Sequence, residues 1–246
     1  PRAAVEYCAE YLVGKDPLHI ERHWQHMFRR QLFRGGSDMM AAIGAIDIAL
    51  WDIKGKSLDK PVYELLGGPV REKVRLYTHL GGNTPEALAE EAAARVEEGF
   101  TALRIYPFGD FGNSDFEEGR GLENMSFTGM QNNAVERLAA VRDAAGPDTD
   151  IMIDGVNRLT PAEAVGLGRA LEPFNLYFYE DPIEPENMDQ WSWVAQQQPI
   201  PLAMGERLYT IYQFRDLLNH QGAAFIRPDL SLAGGITNVK KIAAIA

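Results

Sequence analysis

Cysteine is nearly absent from this sequence: Cys8 is the only one in 246 residues. A disulfide framework is excluded, and a reducing compartment, the cytoplasm, is expected. Positive charge is scarce too. Lys and Arg total 24 against 35 Asp and Glu, a net charge of −11, which argues against a polyanion such as nucleic acid as partner. The same imbalance fits an enzyme that recruits a cation. No apolar run approaches the ~20 residues that cross a bilayer, so no membrane partner is expected. The first residues carry no signal-peptide pattern. The chain begins at Pro1 and stops in a helical pattern, "KKIAAIA", so a fragment of a longer protein is expected.

What is present is a core-forming composition, 46% hydrophobic, long enough for one large α/β domain or two smaller ones. Residues 1–66 read as helical, with "MMAAIGAIDIALWDIKGKSL" (39–58) apolar on a broad face and a Gly pair closing "KPVYELLGG". From residue 73 the texture changes. Strand patterns at 73–82, 100–109, 150–155, 175–181, 200–206 and 223–229 alternate with helix patterns at 84–99, near 131–145, and at 160–172, 186–197, 210–219 and 236–246. Thr84 is an expected N-cap, followed by Pro85 and closed by Gly99. Six strand-then-helix units predict a parallel sheet, open or closed into a barrel.

Three successive strands end in a carboxylate: Asp154, Glu180 and Glu206, 26 residues apart in both intervals. On a (β/α)8 barrel these ends share the rim that carries the active site. Three acids so close repel one another unless a cation neutralises them. A hard divalent ion with oxygen ligands does so, and Mg2+ suits a site with few protein ligands. Asp181, Glu184 and Glu186 read instead as loop and helix-start acids.

The stretches "AAIGAIDIALWDIKGKSLDKPVYELLGG", "YEDPIEPEN", "LAMGERL" and "IRPDLSLAGGIT" resemble the enolase superfamily, in its mandelate racemase/muconate lactonizing branch. The resemblance covers nearly the whole chain. It implies an α/β fold: a modified (β/α)8 barrel, incomplete here, with its first six βα units in 69–246. Residues 1–68 would be the helical part of the capping domain, and strands seven and eight would lie beyond Ala246. It implies Mg2+ on Asp154, Glu180 and Glu206, chelation of a carboxylate substrate, proton removal beside the carboxylate, and an enediolate stabilised by the metal.

The candidate acids and bases are less uniform. Where the family often has Lys-x-Lys, this chain has Arg104-Ile105-Tyr106. Alternation puts Arg104 and Tyr106 on one face. Arg stays protonated and would stabilise negative charge; Tyr106 would act as a base only if cations lowered its pKa, and substrate hydrogen bonding or packing is the alternative. Related acid-sugar dehydratases place a His where Val156 stands, with Asn157 as a polar contact beside it. Asp229 matches the aspartate that orients a histidine at the next strand's end; a strand-end cap is the alternative. His79 and Arg207 are candidate substrate contacts. His19, His23 and His26 read as a solvated or interface stripe. The segment 107–133 reads as a lid or a surface insertion.

Together these imply Mg2+-dependent dehydration of an acid sugar, a small carboxylate, to a 2-keto-3-deoxy acid by a homo-oligomeric cytoplasmic lyase. A hydroxy-acid racemase or epimerase is the rival enzyme, and a non-catalytic relative the rival from outside enzymology.

Overall fold

The computed structural model describes residues 2–30, 34–109 and 126–246. Four helices come first: α1 (Arg2–Leu12), α2 (Ile20–Arg29), α3 (Ser37–Ser57) and α4 (Val62–Leu65). Six strand–helix pairs follow: β1 (Thr78–His79) and α5 (Pro85–Glu97), β2 (Ala102–Ile105) and α6 (Phe127–Ala145), β3 (Asp150–Asp154) and α7 (Pro161–Ala170), β4 (Phe178–Glu180) and α8 (Met188–Gln197), β5 (Leu202–Met204) and α9 (Ile211–Asn219), β6 (Phe225–Ile226) and α10 (Gly235–Ile245). Contacts group the chain into two units. One holds Pro1–Val74, Gly205–Asn219 and Ile226–Ala246; the other holds Arg75–Met204 and His220–Phe225.

The second unit carries the sheet, whose strand order is the chain order, β1 to β6, with parallel pairing from β1 through β5. Strands β2, β4 and β5 are buried along their whole length, as is β3 after its first residue, which is why they read as near-continuous apolar runs. Alternation splits each strand between two faces. Ala102, Met152, Phe178 and Ala203 form one cluster, joined by Tyr77 and Phe225. Arg104, Asp154 and Glu180 follow two residues later on that same face. An apolar layer therefore underlies a charged one.

Local chemistry explains the helix starts. Thr84 accepts from the Ala87 backbone N–H, with Pro85 in the first turn. Thr160 and Glu163 form a reciprocal capping box ahead of α7. Helix α6 begins four residues before the expected 131 because the Ser126 hydroxyl accepts from the Gly129 N–H. The two outer strands are much shorter than expected. Strand β1 takes Thr78–His79 of 73–82 and β6 takes Phe225–Ile226 of 223–229, with Leu80 N–H on the Arg104 carbonyl and Ala224 N–H on the Leu202 carbonyl just outside them. After β6 the chain turns: Asp229 Oδ1 accepts from Leu232 N–H and the Asp229 carbonyl from Ala233 N–H.

The first unit packs around Cys8, Trp24, Met27, Phe28, Met40 and Ile43. The conspicuous motif on α3 serves its contact with α10. Both carboxylate oxygens of Asp47 accept from Thr237, one from its N–H and one from its hydroxyl, while the Trp51 indole donates to that hydroxyl at 2.9 Å. Gly44 lies so close to the Ser231 backbone that a Cβ would collide with it. His19, His23 and His26 do not form one solvated stripe. His23 is buried, its Nε2 donating to the Asp16 carbonyl at 2.7 Å and its Nδ1 accepting from Tyr11 Oη, while His26 stacks on Tyr11 at 3.6 Å. His23 is an internal packing group because the Tyr11 hydroxyl of α1 and the Asp16 carbonyl face it, while His26 is half-buried. Among the described residues, no helix is long and apolar enough to cross a membrane.

Candidate active site

Two strand ends are stitched together where β3 and β4 finish. Asp154 pairs in register with Glu180. Beyond them Gly155 N–H donates to the Glu180 carbonyl at 2.8 Å, Asn157 N–H to the Asp181 carbonyl at 2.7 Å, and Leu159 N–H to the Pro182 carbonyl at 3.2 Å. Gly155 is required by this approach, since a Cβ there would lie 2.8 Å from Pro182 Cα. The turn also forces left-handed backbone on Val156 (φ 51°), Asn157 (φ 55°) and Asp181 (φ 37°). Asn tolerates that region; a β-branched Val there is strained.

A cluster of buried charge sits on this frame. Arg104 is 6% exposed, Asp154 5% and Glu180 0%. Arg104 Nη2 is ion-paired to Asp154 Oδ2, and its Nε lies 3.2 Å from Glu180 Oε2. Burial works against the guanidinium's charge, but the Asp154 charge, a hydrogen bond to Tyr77 and charge interaction with Tyr106 and Tyr77 outweigh it, holding the Arg104 pKa above its ordinary value. Its Cζ is 5.7 Å from the Tyr106 ring centre, and the His79 ring is 5.7 Å from that of Tyr106. Arg104, Tyr106, Asp154 and Glu180 are thus neighbours, with His79, exposed, at their edge. Behind the frame, Tyr179 is buried and its phenol is pushed well above the usual range, by burial first and then by Asp154 and Glu163.

The other expected residues lie on the segments that follow the strands. Asn157 is buried and builds the β3–α7 turn. Glu206 and Arg207 are exposed and follow β5 directly in sequence; they and Asp229 belong to the first unit. Residues 110–125 of the expected lid lie outside the described residues. Asp181, read as a loop acid, is instead buried, with a carboxylate oxygen within 4.8 Å of one of Glu180's. Its position next to Glu180 was visible; the left-handed turn that folds it inward, with Asp181 N–H on the Ala203 carbonyl at 3.0 Å, was not.

This donor set fits a divalent cation. Asp154 and Glu180 bring two carboxylates to one place and a single guanidinium faces both, so the trio keeps an excess negative charge. The chain also matches two family models: the enolase C-terminal domain-like model over residues 87–246, and the mandelate racemase/muconate lactonizing enzyme N-terminal domain over 2–67. The chain belongs to the enolase superfamily.

Within that superfamily the chain is 40% identical to a D-galactonate dehydratase of Variovorax paradoxus, over 99% of its own length and 61% of the relative's. It therefore spans about three-fifths of that curated relative. Among solved structures, a provisionally named dehydratase from Salmonella enterica serovar Typhimurium is 38% identical with a TM-score of 0.89, over 98% of this chain and 64% of that one. A provisionally named galactarate dehydratase from Agrobacterium radiobacter, solved with sodium and L-malate, is 30% identical with a TM-score of 0.89, over 100% and 60%. The parallel sheet in chain order and the preceding helices agree with this enolase-superfamily membership.

Proposed function

We propose that this enolase-superfamily protein is a Mg2+-dependent hydro-lyase that converts an acid-sugar carboxylate into a 2-keto-3-deoxy acid. The observation that carries the reading is the buried Arg104–Asp154–Glu180 cluster at the end of the sheet. The likeness to D-galactonate dehydratase supports an acid-sugar substrate.

In this reading Asp154 and Glu180 hold the ion, and Glu206, the next strand-end carboxylate at the same sequence spacing, joins them. The ion supplies Lewis-acid stabilisation to the substrate carboxylate as its α-carbon loses a proton. The proton beside the carboxylate leaves to a base, the β-hydroxyl departs with a proton from an acid, and the resulting enol becomes the ketone. Arg104 donates to negative charge and cannot itself be the base. Tyr106, in contact with the guanidinium, can assist on that side. Asp229 spends one oxygen on the Leu232 N–H, and its other oxygen can orient the acid–base imidazole that the family resemblance implies. Asn157 holds a turn, so a polar substrate contact from it would be secondary to that role. His79 and Arg207 are the remaining candidate substrate contacts.

The test is proton NMR of the natural full-length protein with Mg2+ and a pool of sugar acids in D2O. New signals of a 3-deoxy-2-keto acid are expected. Exchange beside the carboxylate without dehydration would replace this reading with a racemase or epimerase. No change across a broad pool would favour a non-catalytic relative.

A further inference from the structure

We infer that Arg104 is a built-in counter-cation, whose guanidinium neutralises Asp154 and Glu180 while no divalent ion is bound and withdraws when one binds. This deepens the metal reading above and rests on it.

Three observations carry the inference. The first is geometry. One planar fork reaches both carboxylates, Nη2 on Asp154 and Nε at 3.2 Å from Glu180. These two acids come from adjacent strands and oppose each other in register. The second is burial. All three side chains are removed from water, where unpaired carboxylates are costly and a guanidinium beside both offsets that cost. The third is an alternative resting place. Arg104 hydrogen-bonds Tyr77, and its Cζ lies 5.7 Å from the Tyr106 ring centre. A guanidinium leaving the carboxylates can keep a hydroxyl acceptor and an aromatic face.

The two cations exclude each other. Mg2+ takes carboxylate oxygens at about 2.0–2.1 Å, so the oxygens that would bind it are those that the Arg104 guanidinium faces, and like charges at that range repel. Arg104 would therefore keep the two strand ends together before the ion arrives, and binding would be weakened by the free energy of displacing it. A site of this kind is preorganised without metal, and its ion affinity is held down.

The experiment titrates Mn2+, followed by electron paramagnetic resonance, and Mg2+, followed by calorimetry, into the natural full-length protein and Arg104→Met. Melting temperatures are taken in EDTA and in saturating Mg2+. Arg104→Met is expected to bind either ion roughly ten-fold or more tightly. It should melt below the wild type in EDTA and approach it in Mg2+. Equal or weaker binding, or a melting gap indifferent to the ion, overturns the inference while leaving the metal reading intact. If Arg104→Met does not fold, Arg104→Lys decides. It keeps the charge without the fork and should show a smaller shift of the same sign; no shift, or the opposite sign, overturns the inference. Binding by the variant alone supports the inference. Binding by neither protein at millimolar ion sinks the metal reading and the inference with it.

Discussion

Asp154 and Glu180 stand opposite each other across the β3–β4 ladder, in register and both buried. Two carboxylates in that relation are tolerated only with positive charge beside them. The candidate site follows from that requirement: Arg104 reaches both, and the proposed divalent ion would use the same oxygens.

Replacing either acid by its amide should remove the ion without removing the fold. Glu180→Gln and Asp154→Asn keep the volume and the β3–β4 backbone bonds. Both are expected to lose the rise in melting temperature that Mg2+ confers, and turnover should fall roughly 100-fold or more. A wild-type Mg2+ shift in both variants would take these residues out of the ligand set.

Asp47 should make the first unit's stability depend on pH in the unusual direction. Burial is the largest influence and raises its pKa above the ordinary 3.8; the Thr237 hydrogen bonds pull it back only in part. A carboxyl whose folded pKa is raised favours folding most below the unfolded value and loses that contribution as pH rises through the folded one. The stability of the wild type relative to Asp47→Asn should therefore increase as pH falls from 7 towards 4. Urea midpoints of the two proteins at several pH values measure it. A constant or shrinking difference would mean that the hydrogen bonds outweigh burial.

Val156 should be replaceable with profit. It holds φ 51° in the turn after Asp154, and its N–H donates to Asp154 Oδ1 at 2.9 Å. Val156→Asn keeps that N–H and places a residue that accepts left-handed backbone. A gain of about 1 kcal/mol in unfolding free energy is expected. A loss, read from the denaturant midpoint, would show that the valine methyls contribute more by packing than the backbone loses by strain.

Much of the second unit was legible in advance because its signals are local. Thr84-Pro85 and Thr160-Pro161 announce helix starts through hydrogen bonds that span three residues. Runs such as "DIMID" announce strands buried on both faces. The outer strands are shorter than their patterns, since the strand-like stretch 73–82 extends well beyond the residues that enter the ladder. Asp181 was misjudged because its inward turn depends on a bond to Ala203 on the next strand. His23 looked like part of a solvated stripe because the Asp16 carbonyl and Tyr11 hydroxyl that satisfy it belong to the preceding segments.

The alternation of strands and helices and the recurrence of an acid at successive strand ends are written in the chain itself. Both depend on period and spacing, which the chain carries without folding. Only the tertiary structure decided which groups share an environment. Arg104 and Asp154 are 50 residues apart, and Asp47 and Thr237 are 190 apart. No local pattern pairs them. They meet because parallel strands and packed helices bring remote segments together, and because a charge taken out of water must find its partner wherever the fold supplies one.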